Sequence, residues 1–517
     1  MRAKESLERQ SVWTATVKMP PYPPLRQNLR ADVCIVGAGI AGLMTAYLLT
    51  RAGKSVIVLD DGELSSGVTP MTTAHLSNAI DRGYRRVERI HGEDKARFVA
   101  GSHTAAINRI EAIARIEGID CDFEKLDGYL FLGPDDQEET LDRELQAARR
   151  AGLSDVEKIQ RAPWAPFDSG PCLRFPNQGQ FHPLKYLSGL AEVIEREGGR
   201  LFTGTHADQI EGGSPARIKA AGCAVTADAV VVATNTPVND LVAIHTKQAP
   251  YMTYVIGAEV PRGAVAPGLY WDTGDPYHYV RLQRMTNGQP GGGAEERHIL
   301  IVGGEDHKTG QADDTAERHG RLEAWARERF PRMGPVEYRW GGQVMETIDG
   351  LAFIGRNPLD KDNVYIVTGD CGMGMTHGTI GGILLTDLIL KRESPWTKLY
   401  DPSRVTLLGA GEFAKENLNV AAQYADYLTG GDVEAVQEIP PGSGAVLRRG
   451  LSKVAVYRDD KGNLTELSAV CPHLGCIVDW NDAEKTWDCP CHGSRFDRWG
   501  KVINGPANND LSRAPSD

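Results

Sequence analysis

The sequence predicts an α/β fold interleaved with an antiparallel sheet and followed by a small all-β domain. Three observations predict it: a strand–glycine turn–helix–strand run at residues 31–60, stretches of strand alternation around residues 251–307, and a segment dense in cysteine, histidine, glycine and proline at residues 471–494. At 517 residues the chain is too long for one hydrophobic core, so two or three domains are expected.

Residues 1–29 read as an arm, proline-rich near 20–24. Ala31-Asp-Val-Cys-Ile-Val36 is then a short apolar strand. It runs into Gly37-Ala-Gly39-Ile-Ala-Gly42, the helix pattern Leu43 to Thr50, and a second strand Ser55 to Leu59 that ends on Asp60. Glycines at this spacing let the backbone approach a pyrophosphate, and the helix N-terminus stabilises its charge. Asp60 lies eighteen residues past Gly42, where an acid grips ribose hydroxyls. Strand, glycines, helix, second strand and acid in register indicate a Rossmann-type dinucleotide site. No second complete fingerprint occurs, so a second bound dinucleotide such as NAD(P)H is not expected.

Further along come Ala227-Asp-Ala-Val-Val-Val-Ala233-Thr234-Asn-Thr-Pro237, Glu346 to Gly355, and Tyr365 to Gly378, which contains Gly372-Met-Gly374-Met375-Thr376-His377. With the N-terminal fingerprint, these resemble the D-amino-acid oxidase, glycine oxidase and sarcosine oxidase superfamily of FAD enzymes. The resemblance implies FAD, held by Gly37, Gly39, Gly42, Asp60, Ala233, Thr234, Gly372, Gly374, Met375 and Thr376. It also implies that the loop Thr69-Pro-Met-Thr72-Thr73-Ala-His75-Leu passes beside the isoalloxazine, adding Thr73 and His75. Dimethylglycine dehydrogenase-like members bond a histidine of a Ser-Thr-Trp-His stretch covalently to the flavin. Thr72-Thr73-Ala74-His75 is loosely similar, so a covalent bond and a noncovalent histidine beside the ring both stay open.

Tyr251 to Val260, Tyr277 to Leu282 and His298 to His307 alternate as strands, and would form an antiparallel sheet roofing the flavin. Tyr279 and Arg281 share a face of their strand. In amine and amino-acid oxidases of this fold, Arg and Tyr on such strands clamp a substrate carboxylate, which makes Arg281 and Tyr279 candidate substrate residues. A structural arginine is the alternative. His377, Tyr251 and Tyr254 are further candidates. The implied chemistry is oxidation of a C–N bond in an amine or amino acid, with orientation and electrostatics supplied by the protein and no obligatory general base.

Residues 30–400 thus read as interleaved FAD and substrate domains. Residues 401–431 read as a polar, helix-like linker, 432–512 as a separate domain with short strands such as Ala445 to Leu447 and Lys453 to Tyr457, and 513–517 as a tail. The polar stretch from Asn508 onward reads as frayed. The last domain holds Cys471-Pro-His473-Leu-Gly-Cys476 and Cys489-Pro-Cys491-His492-Gly-Ser494. A Rieske [2Fe-2S] centre needs two thiolates on one iron and two imidazoles on the other. Two loops, each giving one Cys and one His, supply that: Cys471 and Cys489, His473 and His492. A Cys₂His₂ zinc site is the alternative, and Cys476 and Cys491 are left over.

The segment resembles the Rieske proteins of respiratory and photosynthetic cytochrome complexes. There the equivalent leftover pair forms a disulfide, which implies Cys476–Cys491 here, and Gly505-Pro506-Ala507 resembles the proline loop that covers the cluster. Ser494 is kept, but Phe496 stands where relatives carry a tyrosine whose hydroxyl bonds a ligand sulfur. Fewer such bonds leave the reduced cluster less stabilised, so a potential below the top of the roughly −150 to +300 mV Rieske range is expected. No two of the thirteen histidines lie five positions apart, so the mononuclear iron site of a Rieske oxygenase is not expected.

A net charge of −12 argues against nucleic-acid partners and an anionic membrane surface. The stretch Ala31 to Leu49 is broken by glycines and is no membrane span, and the first residues show no export signal. Together these predict a cytoplasmic protein. The five scattered cysteines read as reduced thiols. The whole predicts a dehydrogenase that passes electrons from FAD through the cluster to an external acceptor. Its alternatives are a reductive enzyme fed through the cluster, and an oxidase using O2 with a structural or redox-sensing Rieske module.

Overall fold

The computed structural model describes residues 10–164, 167–239, 244–287, 295–406, 410–427 and 429–514. The apolar strand Leu29–Val36 lies inside an eight-stranded sheet, parallel to Cys223–Val232 on one side and to Val56–Leu59 on the other. Its run of apolar residues suits a strand covered on both faces. Val364–Thr368 and Arg200–Phe202 extend the sheet in parallel, and Phe353–Arg356 pairs antiparallel at one end. Helices Ile40–Arg51, Glu93–Glu117 and Gly374–Ile389 pack together on this sheet, in the largest apolar core of the chain.

The central strands form a nine-stranded sheet in which Gln248–Val260, Glu295–Lys308 and Tyr279–Asn287 are antiparallel neighbours, as expected. One pairing differs: Leu269–Asp272 runs parallel to Glu124–Phe131. No hairpin joins these two strands, so no turn imposes the antiparallel direction. The C-terminal domain is built from a three-stranded sheet, Ser443–Arg449, Ser452–Arg458 and Leu464–Ser468, and a four-stranded one, Asp479–Asn481, Thr486–Asp488, Arg495–Asp497 and Val502–Asn504. No helix among the described residues is long and apolar enough to cross a membrane.

The segments read as an arm, a helix-like linker and a frayed end are all built into the structure. The arm forms a short helix, Val12–Thr16, whose Trp13 is fully buried and donates its indole N–H to the Thr72 carbonyl at 2.7 Å. The expected linker contains the helix Ala410–Gln423 and a 3₁₀ turn, Tyr424–Tyr427, that touch both larger units. Lys308 pairs with Glu416 at 2.5 Å, while the Tyr424 and Tyr427 hydroxyls donate to the Leu474 and Gly475 carbonyls at 2.7 and 2.5 Å. The C-terminal stretch is also held: Leu511 is buried, its N–H donates to Gly500, and Arg513 bridges to Leu467. In each case one or two apolar or aromatic anchors outweigh a polar local composition.

Candidate functional site

A cavity of about 1000 Å³ runs along the strand ends of the nucleotide fold and under the second sheet. At one end lies the glycine turn. A Cβ on Gly42 would fall 1.9 Å from the Gly37 carbonyl oxygen, so only glycine lets the helix start this close to the strand. Gly42 packs there and does not line the cavity; Gly37, Gly39 and Asp60 do. Asp60 accepts the Ala38 and Gly62 N–H groups at 2.6 and 3.0 Å, and burial pushes its pKa up to about 6. Ala233, Thr234, Gly372, Gly374 and Met375 also line the wall. Thr376 does not: helical periodicity turns it inward, where its hydroxyl meets His103 Nδ1 at 2.9 Å and the Met373 carbonyl at 3.1 Å.

Further along, Thr73, His75, Tyr279 and His377 line the cavity together. Thr73 Oγ1 and His75 Nδ1 are 3.0 Å apart, while His75 Nε2 is buried without a hydrogen-bond partner. Burial, helped by the nearby Arg281 charge, lowers the His75 pKa to about 3, so the imidazole is neutral. His377 Nδ1 lies 2.8 Å from the Asp370 carbonyl, to which it donates, and burial lowers its pKa to about 4. Tyr279 shares a 2.7 Å hydrogen bond with Thr253.

Arg281 is not at the wall. It is 1% exposed, and its guanidinium donates to the Thr73, Ala74 and Phe181 carbonyls and to Gln283, with Trp13 stacked 5.3 Å away. It holds the loop carrying His75 and is the structural arginine of the two alternatives. Tyr251 and Tyr254 also lie off the wall; the Tyr254 hydroxyl is 3.0 Å from His307 Nε2. What does reach the cavity beside Tyr279 is Tyr277, Asp81 and Asp370. Burial raises both carboxyls to a pKa of about 7, with Glu346 and Asp306 adding to the effect at Asp81. Asp370 sits inside the glycine-rich turn Gly369–Gly372. Asp81 follows the His75 loop with no motif around it.

The two C-terminal loops fold alike. Gly475 N–H donates to the Cys471 carbonyl at 2.9 Å, and Gly493 N–H to the Cys489 carbonyl at 3.1 Å. The Cys471 and Cys489 thiols come within hydrogen-bonding reach of each other, and the His473 and His492 rings lie 5.0 Å apart, nearly perpendicular. His492 Nδ1 is buried with no hydrogen-bond partner. Two sulfurs facing each other beside two imidazoles match a [2Fe-2S] cluster with Cys471 and Cys489 on one iron and His473 and His492 on the other. Cys476 and Cys491 approach Cys489 but are joined in a disulfide, Cα atoms 6.4 Å apart, that ties the loops together. The Ser494 hydroxyl bonds Cys471 and accepts the Ala507 N–H at 3.0 Å, pinning the Gly505–Ala507 loop.

The cluster loops pack against the second sheet, at the start of the strand Gln248–Val260 and at Gln343 of its neighbour Val336–Thr347. His245 puts its ring 5.0 Å from His473 and 6.0 Å from His492. Gln343 lines the cavity and donates its amide N–H to the Gly493 carbonyl, beside His492, at 2.7 Å. Gly493 has φ +80°, and a Cβ there would meet Pro250 at 2.4 Å, so only glycine permits this contact. Neither Gln343 nor His245 carries a local sequence signal.

The glycine cradle, the buried acid after the second strand and the long cavity fit FAD, as the paired thiols and imidazoles fit the cluster. Residues 32–388 match the FAD dependent oxidoreductase family, and residues 431–515 the Rieske [2Fe-2S] domain. The chain is 31% identical over its whole length to a Rieske 2Fe-2S iron-sulfur protein of Bacillus subtilis, YhfW, covering 99% of that protein. It is 28% identical to γ-glutamylputrescine oxidoreductase of Escherichia coli, over 72% of this chain and 86% of that one. In fold it is similar to glycine oxidase from Geobacillus kaustophilus, with a TM-score of 0.59 and 17% identity, covering 73% of this chain and 99% of the other. The chain is an oxidoreductase that binds FAD and a [2Fe-2S] cluster, and it belongs to the FAD dependent oxidoreductase family, with a Rieske domain at its C-terminal end.

Proposed function

We propose that the protein is a dehydrogenase that oxidises a C–N bond of an amine and delivers the electrons through the Rieske cluster to an external acceptor. One observation carries this reading: Gln343 is at once a wall residue of the FAD cavity and a hydrogen-bond donor to the peptide beside the cluster ligand His492. FAD, when bound, takes up electrons in a pair, and a [2Fe-2S] cluster takes them singly. The residues hold the two sites together: Gln343, Pro250 and His245 fix the cluster loops against the cavity, and the disulfide and the two linker tyrosines keep those loops rigid.

An amine is favoured over an amino acid because no arginine lines the cavity among the described residues, whereas Asp81 and Asp370 do. When ionised these carboxylates attract an ammonium group. With pKa values of about 7, they are suited to take its proton so that the nitrogen keeps a free lone pair. Tyr277 and Tyr279 flank them. The relative named γ-glutamylputrescine oxidoreductase supports the same substrate class.

The test is anaerobic addition of amines and amino acids, following flavin bleaching by absorbance and cluster reduction by EPR. The expected result is bleaching by amines, followed by appearance of the reduced-cluster signal, with little peroxide formed when air is admitted. Rapid peroxide formation with the cluster still oxidised would instead identify a plain oxidase. In Cys489→Ser, loss of turnover with the physiological acceptor but not with artificial acceptors is expected.

A further inference from the structure

The cavity wall has a second owner. Ten of its lining residues belong to the Rieske segment 497–510, among them Lys501, Asn504 and Asn508. They lie opposite Asp61–Glu63, Gly204–Asp208 and Thr234–Val238, turns at the ends of strands of the nucleotide fold. That edge is where a dinucleotide lies in such a sheet. The contact is direct. Asn508 Nδ2 donates to the Ala207 carbonyl at 3.2 Å, and the His206 ring bonds the Asn508 backbone. His206 Nδ1 in turn lies 3.6 Å from Asp61, close to the Lys501 charge. A Cβ on Gly505 would stand 3.4 Å from Val238, so the surfaces meet at van der Waals distance.

The charges single out one residue. The lining contains Asp60, Asp61, Glu63, Asp208, Asp497 and Asp510, and Lys501 is the only Lys or Arg among the described residues of the wall. A dinucleotide diphosphate carries two negative charges. The helix N-terminus beginning at Ile40 offers partial positive charge only, and the surrounding acids oppose the ligand. A cation on the facing wall resolves that conflict.

We propose that the Rieske domain is also the outer wall of the FAD site: Lys501 supplies the side-chain cation for the FAD diphosphate, and Asn508 latches the wall to the nucleotide fold through Ala207. FAD then cannot expose its diphosphate without displacement of this domain, and FAD binding and domain docking reinforce each other reciprocally. The assignment is independent of substrate and of the direction of electron flow, and it holds for a covalent or a noncovalent flavin.

The test applies a nucleotide phosphodiesterase to the full-length holoprotein and measures AMP released from bound FAD. The wild-type protein should release AMP at least tenfold more slowly than free FAD. Lys501→Glu, which reverses the charge, and Asn508→Asp, which sets a carboxylate against the Ala207 carbonyl, should each release it at least tenfold faster than wild type. Their reduced-cluster EPR spectra should stay unchanged, showing that the Rieske domain is still folded. Lys461→Glu, in an exposed turn outside the wall, should behave as wild type. Wild-type protein cleaved as fast as free FAD overturns the proposal whatever the variants do. So does wild-type protection retained in both Lys501→Glu and Asn508→Asp.

Discussion

Phe496 is fully buried on the strand that follows the second cluster loop, with no hydroxyl to offer a ligand sulfur. Ser494 remains as a hydroxyl donor toward Cys471. Adding a second donor with Phe496→Tyr is expected to stabilise the reduced cluster. A hydrogen bond with a net value of about 1 kcal/mol corresponds to roughly 40 mV for a one-electron couple. An EPR-monitored redox titration should therefore place the variant a few tens of millivolts above the wild type. An equal or lower potential would show that this position does not tune the cluster. At the same scale, the two Cys/His loops and the glycine turn are legible in the sequence because their chemistry demands given residue types at close spacing along the chain. Arg281 is left open by the sequence between a substrate and a structural role. Alternation places it on the face of Tyr279, but Trp13 and the loop at residues 73–74, distant in sequence, cover it and engage its guanidinium.

Among the elements, the arm proves to hold a packed helix, and the linker, helical as its pattern suggests, proves to be bonded to both units it joins. Five residues of helix are too few to be stable alone. Val12–Thr16 persists because Trp13 is buried against the His75 loop and hydrogen-bonded to Thr72. Trp13→Ala is expected to cost about 3–5 kcal/mol, and to loosen the loop that borders the cavity. Thermal unfolding should show a lowered midpoint, and the purified protein a reduced flavin content; an unchanged midpoint would make the arm an ornament of the fold. The Ala410–Gln423 helix and the turn after it act similarly at the other end, gripping the first cluster loop through Tyr424 and Tyr427 while Glu416 holds Lys308. Composition marked this segment as polar, and could not show that its few aromatic and charged groups meet partners on two units.

Across the whole molecule, burial leaves several carboxyls with raised pKa values: Asp60 at about 6, and Asp81, Asp306, Asp370 and Asp479 at about 7. Each binds its proton more tightly folded than unfolded. Their contribution is thus fully present below the unfolded carboxylate pKa, and is lost as pH rises through the folded values. Asp349 is opposite in sign. The Arg404 guanidinium, bonded to it at 2.7 Å, holds its carboxyl well below the usual range, so its stabilisation is present above the unfolded pKa and fades only in strong acid. The buried histidines oppose the raised carboxyls: His75 and His182 are lowered to about 3, and His307 and His377 to about 4, so they favour the fold as pH rises to the ordinary histidine pKa of about 6.5. The two sets largely offset, leaving stability nearly level between about pH 4 and 7. Calorimetric melting of the holoprotein at intervals of one pH unit checks this; a midpoint that rises or falls steadily across that range would contradict it.

The sequence by itself determined the two cofactor sites and the order of the domains. A glycine turn between strand and helix, and two Cys/His loops, are local patterns whose spacing along the chain is the spacing the chemistry needs. Only the tertiary structure decided how the sites relate. The acids beside Tyr279, the Gln343 contact to the cluster loop and the Rieske wall over the nucleotide groove each bring together residues far apart in the chain. Such contacts arise from the packing of one domain surface on another, which has no period and no motif.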